Sequence, residues 1–502
     1  YLDNQLERPR AATDANGRSS KFEYDASGRT TKVEFHDGCA IECEYDERGL
    51  LKSAAFGSSS VSYERTALGR IAKEVQTHAD ETVEVSYTYD AMGRVQTRSS
   101  SWGHAMRVTR GGRAEVQSML LDASEVSFER DSAGRELRRR LPDGGTISIE
   151  LDVMDRVRRV MVDDAAGGRA ADTRFRITPG GNVVEHDDQS NGVVGFSYDL
   201  RQRFIESIPA GGERRQYRYR ENGDLYEAGG QAPSRAYEPG GRLVRRGDVN
   251  FEYGPDGRLS VKRVRRGHRE EVQRYRWDSR GLLAEVHTFT GASVRFTYDA
   301  FGRRVEKRLV DGAISRRTRY VWDGDSLLHA RTSELVQGVG WVDRVLDSYC
   351  FEGGGVPRPF AKKRQLPTDD VGTAKPWEFF VTDLAGAPLH RVSGGGRVAE
   401  TSARGDWSAD EGTELGFSGQ LFDPETGLYY NRWRYYDPET GRYTAPDPIG
   451  LLGGLSAYQY GVNPISWVDP LGLAPGDSVV TATLRLAHPA GGATPIINPA
   501  TG

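Results

Sequence analysis

The chain has 502 residues, 60 of them glycine, with a net charge of −4, a pI near 6.2 and a mean hydropathy of −0.62. Its apolar fraction of 37 % is below the roughly 45–50 % of average domains, but aromatics reach 10 %, which excludes a disordered composition. The charge makes no global case for nucleic-acid binding, no apolar run of about 18 residues offers a transmembrane helix, and the balance suits a large, thin β structure with glycine turns and much wetted surface.

A chain of this length would ordinarily split into about three or four domains. It opens at Tyr1 without a Met or a signal-like segment, and is read as an internal or processed piece of something longer. Internal repeats decide its organisation. The unit is aromatic-Asp-x-x-Gly-Arg, clear in Tyr24-Asp-Ala-Ser-Gly-Arg29, Tyr89-Asp-Ala-Met-Gly-Arg94 and Tyr298-Asp-Ala-Phe-Gly-Arg303. Eroded copies begin at Tyr45, Tyr63, Arg130, Tyr198, Tyr219, Tyr237, Tyr253 and Trp277. Neighbouring copies are mostly about 21 residues apart, the length of two strands and two turns.

The flanks alternate, as in Lys21-Phe-Glu-Tyr24 and Thr31-Lys-Val-Glu-Phe35, so apolar and charged residues fall on opposite faces. Asp at the turn start bonds the backbone two residues on, Gly supplies the positive φ of a short hairpin, and the aromatic packs across to the next strand. One hairpin cannot bury its apolar face, so many must stack. Residues 1–335 are therefore expected to form one continuous, winding, all-β antiparallel sheet. Arg138-Arg139-Arg140 and the run from Arg263 to Arg266 read as solvated strand faces.

Cys39 and Cys43, four apart, would face one side of a strand about 13 Å from each other, too far for a disulfide unless a turn lies between them. Cys350 is alone and the nine histidines are scattered, so neither a metal nor a cofactor is expected. Residues 336–414 break the rhythm with Gly353 to Gly355, Gly394 to Gly396 and the prolines Pro357 and Pro359, and are read as a continuation of the sheet with loops.

Residues 415–473 carry the densest pattern. Asp447-Pro-Ile-Gly450 and Asp469-Pro-Leu-Gly472 are separated by 18 residues and come after a tyrosine-rich run. The repeat over residues 13–330 resembles the YD repeat of Rhs (rearrangement hotspot) proteins, of the C components of bacterial Tc toxins and of teneurins. The stretches Gly419 to Asp437 and Gly441 to Gly450 resemble the Rhs core nearly residue for residue, and Phe379 to Pro388 resembles a further family element, with Phe380 in place of its tyrosine. The resemblance implies a hollow shell of spiralling sheet, capped by the core, that holds and releases a toxin. It also implies an aspartyl autoprotease whose acids are Asp447 and Asp469 and whose scissile bond is Leu473–Ala474.

The residue types fit that chemistry. Peptide hydrolysis needs a base for water and an acid for the leaving amide. Two adjacent carboxylates cannot both ionise cheaply, so they share a proton and divide the roles. Arg442 is the candidate for orienting a carboxylate. Asp423-Pro and Asp437-Pro, each followed by Glu-Thr-Gly, read as plain turns. Residues 474–502 lack the repeat and are too short for a catalytic domain; they are taken as the start of a variable cargo.

The expected function is a toxin shell with self-cleaving cargo release, within an effector of a type VI secretion system. The expected partners are its own C-terminal toxin, secretion spike or adaptor proteins and an immunity protein, and the expected route runs from bacterial cytoplasm to a target cell. A Tc-type C component and an uncleaved surface protein for adhesion or glycan binding are the alternatives.

Overall fold

The structure is a computed structural model that describes residues 2–3, 8–228, 235–352, 357–369, 375–401, 414–417, 419–454, 456–461 and 463–473. The expected cargo start at 474–502, including Ala474, lies outside them, as do Gly353 to Gly355. Among the described residues the helical content is one 3₁₀ turn, Gly450–Gly453. Three antiparallel sheets take up nearly everything else. A 21-stranded sheet spans 11–228, a 15-stranded sheet spans 235–401, and a four-stranded sheet spans 421–443. Strands that are neighbours in sequence are neighbours in the sheet, so the chain meanders without crossovers.

The clear copies of the repeat share one turn construction. In Tyr24–Arg29, Asp25 Oδ1 accepts the amides of Ser27 and Arg29, both at 2.9 Å, and Gly28 takes φ 76°. Arg29 Nε closes the turn on Asp25 Oδ2 at 2.6 Å. The register slips by one residue between Glu23 and Tyr24, and again before Tyr45, Tyr89, Tyr198 and Tyr298. Each unit is thus a hairpin ending in a bulge, whose extra residue twists the sheet and makes it curl.

The aromatic does more than pack. Tyr45 donates to Thr30 O at 2.8 Å, Tyr198 to Val183 O at 2.6 Å and Tyr298 to Leu283 O at 2.7 Å, each 15 residues back. Trp277 Nε1 reaches Leu259 O in the same manner, at 2.7 Å. Every such bond ties one hairpin to the hairpin before it. Tyr298→Phe, at a buried site, is expected to cost about 1–2 kcal/mol by leaving a buried carbonyl with one partner fewer; urea unfolding checks it.

The second sheet retraces the first in the same chain order. Arg303 bonds Glu74, 229 residues back, Trp322 bonds Gln76, 246 back, and Arg139 pairs with Glu352, 213 on. Farther along, His390 meets Asp188, 202 residues back, at 2.7 Å. Contacts at such a steady offset are those of successive turns of a spiral, and the strands form a shell of that kind. The rhythm breaks near residue 335, but the sheet does not: Ser326–Val336 pairs with Gly340–Glu352, the longest strand at 13 residues. The hydrogen-bonded sheet changes instead between 228 and 235.

The four-stranded sheet is locked onto the larger one by buried ions. Asp423, expected only to start a turn, is fully buried and pairs with Arg304 at 2.5 Å and Lys307 at 3.0 Å. Asp437 pairs with Lys262 at 3.3 Å and also caps its own turn through the Glu439 amide. Leu421, Leu428, Tyr430 and Tyr435 join the apolar core of the 15-stranded sheet.

Candidate active site at the end of the core

The site is built on the hairpin of Leu428–Asn431 and Arg434–Asp437, in which Asn431 pairs with Arg434. Beneath it lies a small aromatic core of Phe417, Tyr429, Tyr436, Tyr443 and Tyr460. Asp447 is fixed by its own amide on Ala457 O at 2.8 Å, and its Oδ1 accepts the Ile449 amide at 3.0 Å. Asp469 begins a turn that Gly472 completes with φ 67°. A Cβ on Gly472 would lie 2.5 Å from Asn431 O, so this position requires glycine.

The fold brings Asp447 and Asp469, 22 positions apart in sequence, to one buried guanidinium. Arg434 Nη2 lies 2.9 Å from Asp447 Oδ2 and 3.2 Å from Asp469 Oδ2. The same side chain donates from Nε to Gly472 O and from Nη1 to Ala457 O, and it stacks 3.7 Å over the Tyr443 ring. Arg442, the arginine expected in this role, does not reach the pair. It faces Asp224 at 3.9 Å and the rings of Tyr237 and Tyr458. The reason is its place in the ladder: it pairs with Asp437 in the last strand, at the interface with the larger sheet, whereas Arg434 borders the turn that meets 469–473.

Asp469 accepts from three donors: Leu473 N at 2.8 Å on Oδ1, and Tyr443 Oη at 2.9 Å and Arg434 on Oδ2. Asn431 Nδ2 supports both Tyr443 Oη, at 2.6 Å, and Asp469 O, at 2.9 Å. Burial, and behind it the Asp469 charge, holds the Tyr443 hydroxyl well above its usual range, so it remains a donor. Burial also lifts the Asp447 carboxyl from 3.8 to about 6. Arg434 and the Ile449 amide pull it down, and Asp469 adds a smaller push upward. The expected like-charge effect is therefore present but secondary, because a cation stands between the two acids.

Leu473 is fully buried. Its carbonyl oxygen and Asp447 Oδ2 flank one point: a Cβ placed on Gly453 would sit 2.5 Å from the first and 2.2 Å from the second. The carboxyl with the raised pKa thus lies near the carbonyl of the candidate scissile bond, on the far side of Gly453, while the other carboxylate holds that residue's amide. One acid near the scissile carbonyl and a second carboxylate on the amide of the peptide just before it bracket Leu473, and an acid and a base so placed can together hydrolyse an amide. Arg434, Tyr443, Asn431 and Gly453 were not read from the sequence. Only the spacing of Arg434 within the tyrosine-rich hairpin hinted at it, and that spacing fits a surface arginine equally well. Among the described residues no group of three or more His, Cys, Asp or Glu is arranged to hold a metal, and no helix is long and apolar enough to cross a membrane.

Comparison with known proteins agrees with this architecture. The family model described as Teneurin YD-shell matches residues 172–320. "Probable deoxyribonuclease RhsA" of Dickeya dadantii is 34 % identical over 71 % of this chain and 25 % of its own length. This chain is a YD-repeat shell of the Rhs family. "Toxin protein Tse5" of Pseudomonas aeruginosa is 30 % identical over 85 % of the Rhs shell chain and 37 % of its own length. The solved structure "Crystal Structure of TcdB2-TccC3-Cdc42" matches at a TM-score of 0.67 and 15 % identity, covering 93 % of this chain and 28 % of that one, which is a likeness of fold. The chain thus spans 25 % to 37 % of the length of these two curated relatives.

Proposed function

We propose that this Rhs shell segment encloses a C-terminal toxin and frees it by cutting its own chain between Leu473 and Ala474. The observation that carries the reading is that the Asp447 carboxyl and the Leu473 carbonyl converge on Gly453 while Asp469 holds the Leu473 amide. Protonated Asp447 donates to the carbonyl oxygen. Water attacks the carbonyl carbon and gives its proton to Asp469. The tetrahedral intermediate collapses as Asp469 passes its proton to the Ala474 nitrogen; the C–N bond breaks, the amine of Ala474 leaves, and a hydroxyl proton of the intermediate returns to Asp447, leaving the carboxylic acid of Leu473. Arg434 keeps the site near charge balance, and the core's buried ion pairs keep the segment seated after the cut. The similarity to proteins described as toxins supports delivery to a target cell, which we assign to a type VI secretion effector with a spike or adaptor and an immunity protein as partners.

The test is intact mass under denaturing conditions, with the C-terminal extension present. The wild type is expected as two fragments broken after Leu473. Asp447→Asn and Asp469→Asn are expected uncut, since removing an acid–base group typically costs 10²–10⁴ in rate. Precursor refolded from denaturant at pH 5, 6, 7 and 8 is expected to cut more slowly above about pH 6, where Asp447 loses its proton. A cut after Asp447 or Asp469 would be acid lability of an Asp-Pro bond, and an uncut wild type would favour the adhesive reading.

A further inference from the structure

The chain from Asp469 to Leu473 is held by its carbonyls. Asp469 O accepts from Asn431 Nδ2 at 2.9 Å, Leu471 O from the Trp433 amide at 3.1 Å, and Gly472 O from Arg434 Nε. All three donors come from residues 431–434, at one end of the core hairpin. The next carbonyl, that of Leu473, is the one that meets Asp447 across Gly453. Gly453 has an ordinary φ and ends the 3₁₀ turn. Its missing side chain is what lets the two oxygens converge, because a methyl there would overlap both.

We propose that the cleavage position is set by this backbone ruler: Asn431, Trp433 and Arg434 count the chain from Asp469, and Gly453 admits the fourth residue's carbonyl to Asp447, whatever side chain that residue bears. Asn431 and Gly453 act as positioning residues, since neither supplies a proton or touches the carbonyl as a donor. The inference rests on the autoprotease reading above.

Two variants of the full chain test it. The first inserts one alanine between Gly472 and Leu473. The ruler counts four residues from Asp469, so the cut falls after the inserted alanine and the C-terminal fragment begins with Leu473. Mass of the fragments reads this directly. A cut still after Leu473 means that the leucine side chain is recognised, and overturns the ruler. The second is Gly453→Ala, expected to slow the cut at least tenfold while Leu451→Ala, on the exposed side of the same turn, leaves it unchanged. To separate a direct overlap from general damage, melting temperatures are compared in the uncut Asp469→Asn background. Gly453→Ala is expected to lower Tm with Asp447 present and to lower it less in Asp447→Ala, where one overlapping group is gone. Equal losses in both, or unslowed cleavage by Gly453→Ala, overturn its positioning role. A wild type that never cuts overturns the autoprotease reading and the ruler with it, a result distinct from a wild type that cuts while the insertion fails to move the site.

Discussion

Replacing Arg434 with leucine is expected to abolish cleavage and to cost about 3–5 kcal/mol of stability, the usual result of removing one partner from a buried ion cluster. The guanidinium is almost wholly buried and answers two carboxylates and two backbone carbonyls at once. Leucine keeps apolar contact with Tyr443 but leaves Asp447 and Asp469 facing each other without a cation. The pH dependence has a definite sign. The Asp447 pKa is raised on folding, so its contribution is present below 3.8 and is lost as pH rises through about 6. Without Arg434 the pKa rises further and the window extends upward, so the deficit of the variant is smaller at pH 5 than at pH 8. Urea unfolding at the two pH values measures it, with Asp469→Asn as the uncut reference. Arg434→Lys is expected to retain part of the stability and little of the cleavage, because an ammonium cannot supply the fork that reaches both acids and Gly472 O.

The second large effect is expected far from the site, at Arg303→Met. Arg303 is fully buried between the two turns of the spiral, where it donates to Asp299 Oδ2 at 2.7 Å, to Glu74 Oε1 at 2.9 Å and to Gly324 O at 3.1 Å. Its loss strands two buried carboxylates and is expected to cost about 3–5 kcal/mol. Burial already lifts Glu74 from 4.5 to about 7 against the pull of Arg303. Stability from this group is therefore present below 4.5 and lost as pH climbs through about 7, and the variant widens that range. A melting curve at pH 5 should show a smaller loss than one at pH 8. The same change at Arg94, which holds the same place in its repeat but is one-third exposed and pairs within its own turn, is expected to leave Tm nearly unchanged. An equal loss at both positions would mean that the arginine stabilises the hairpin and not the spiral.

These two arginines mark where the sequence stops being informative. Local grammar was legible: Tyr, Asp, Gly and Arg at fixed spacing specify a hairpin, because each bond of the turn is made within six residues, as in Tyr24–Arg29. Repetition of that unit, with too little aliphatic residue for a compact core, implied one long curling sheet. The two Asp-Pro-x-Gly elements, through their family resemblance, pointed to Asp447, Asp469 and Leu473, and the fold places all three together.

What the sequence left open was decided by contacts between residues far apart in the chain. Nothing local separates Arg303 from Arg94, or Arg434 from Arg442; the difference is which of them the spiral or the core hairpin carries into the interior, where a cation must find a carboxylate. Nor does local pattern tell that Asp423 and Asp437 bind lysine and arginine across a sheet interface, since an Asp-Pro turn looks the same with or without that partner. That a guanidinium stands between the two acids was closed to the sequence for the same reason. Turn geometry is set by short-range sterics and hydrogen bonds, whereas the charge balance of a buried site depends on everything that burial brings within a few ångströms, and only the tertiary structure settles that.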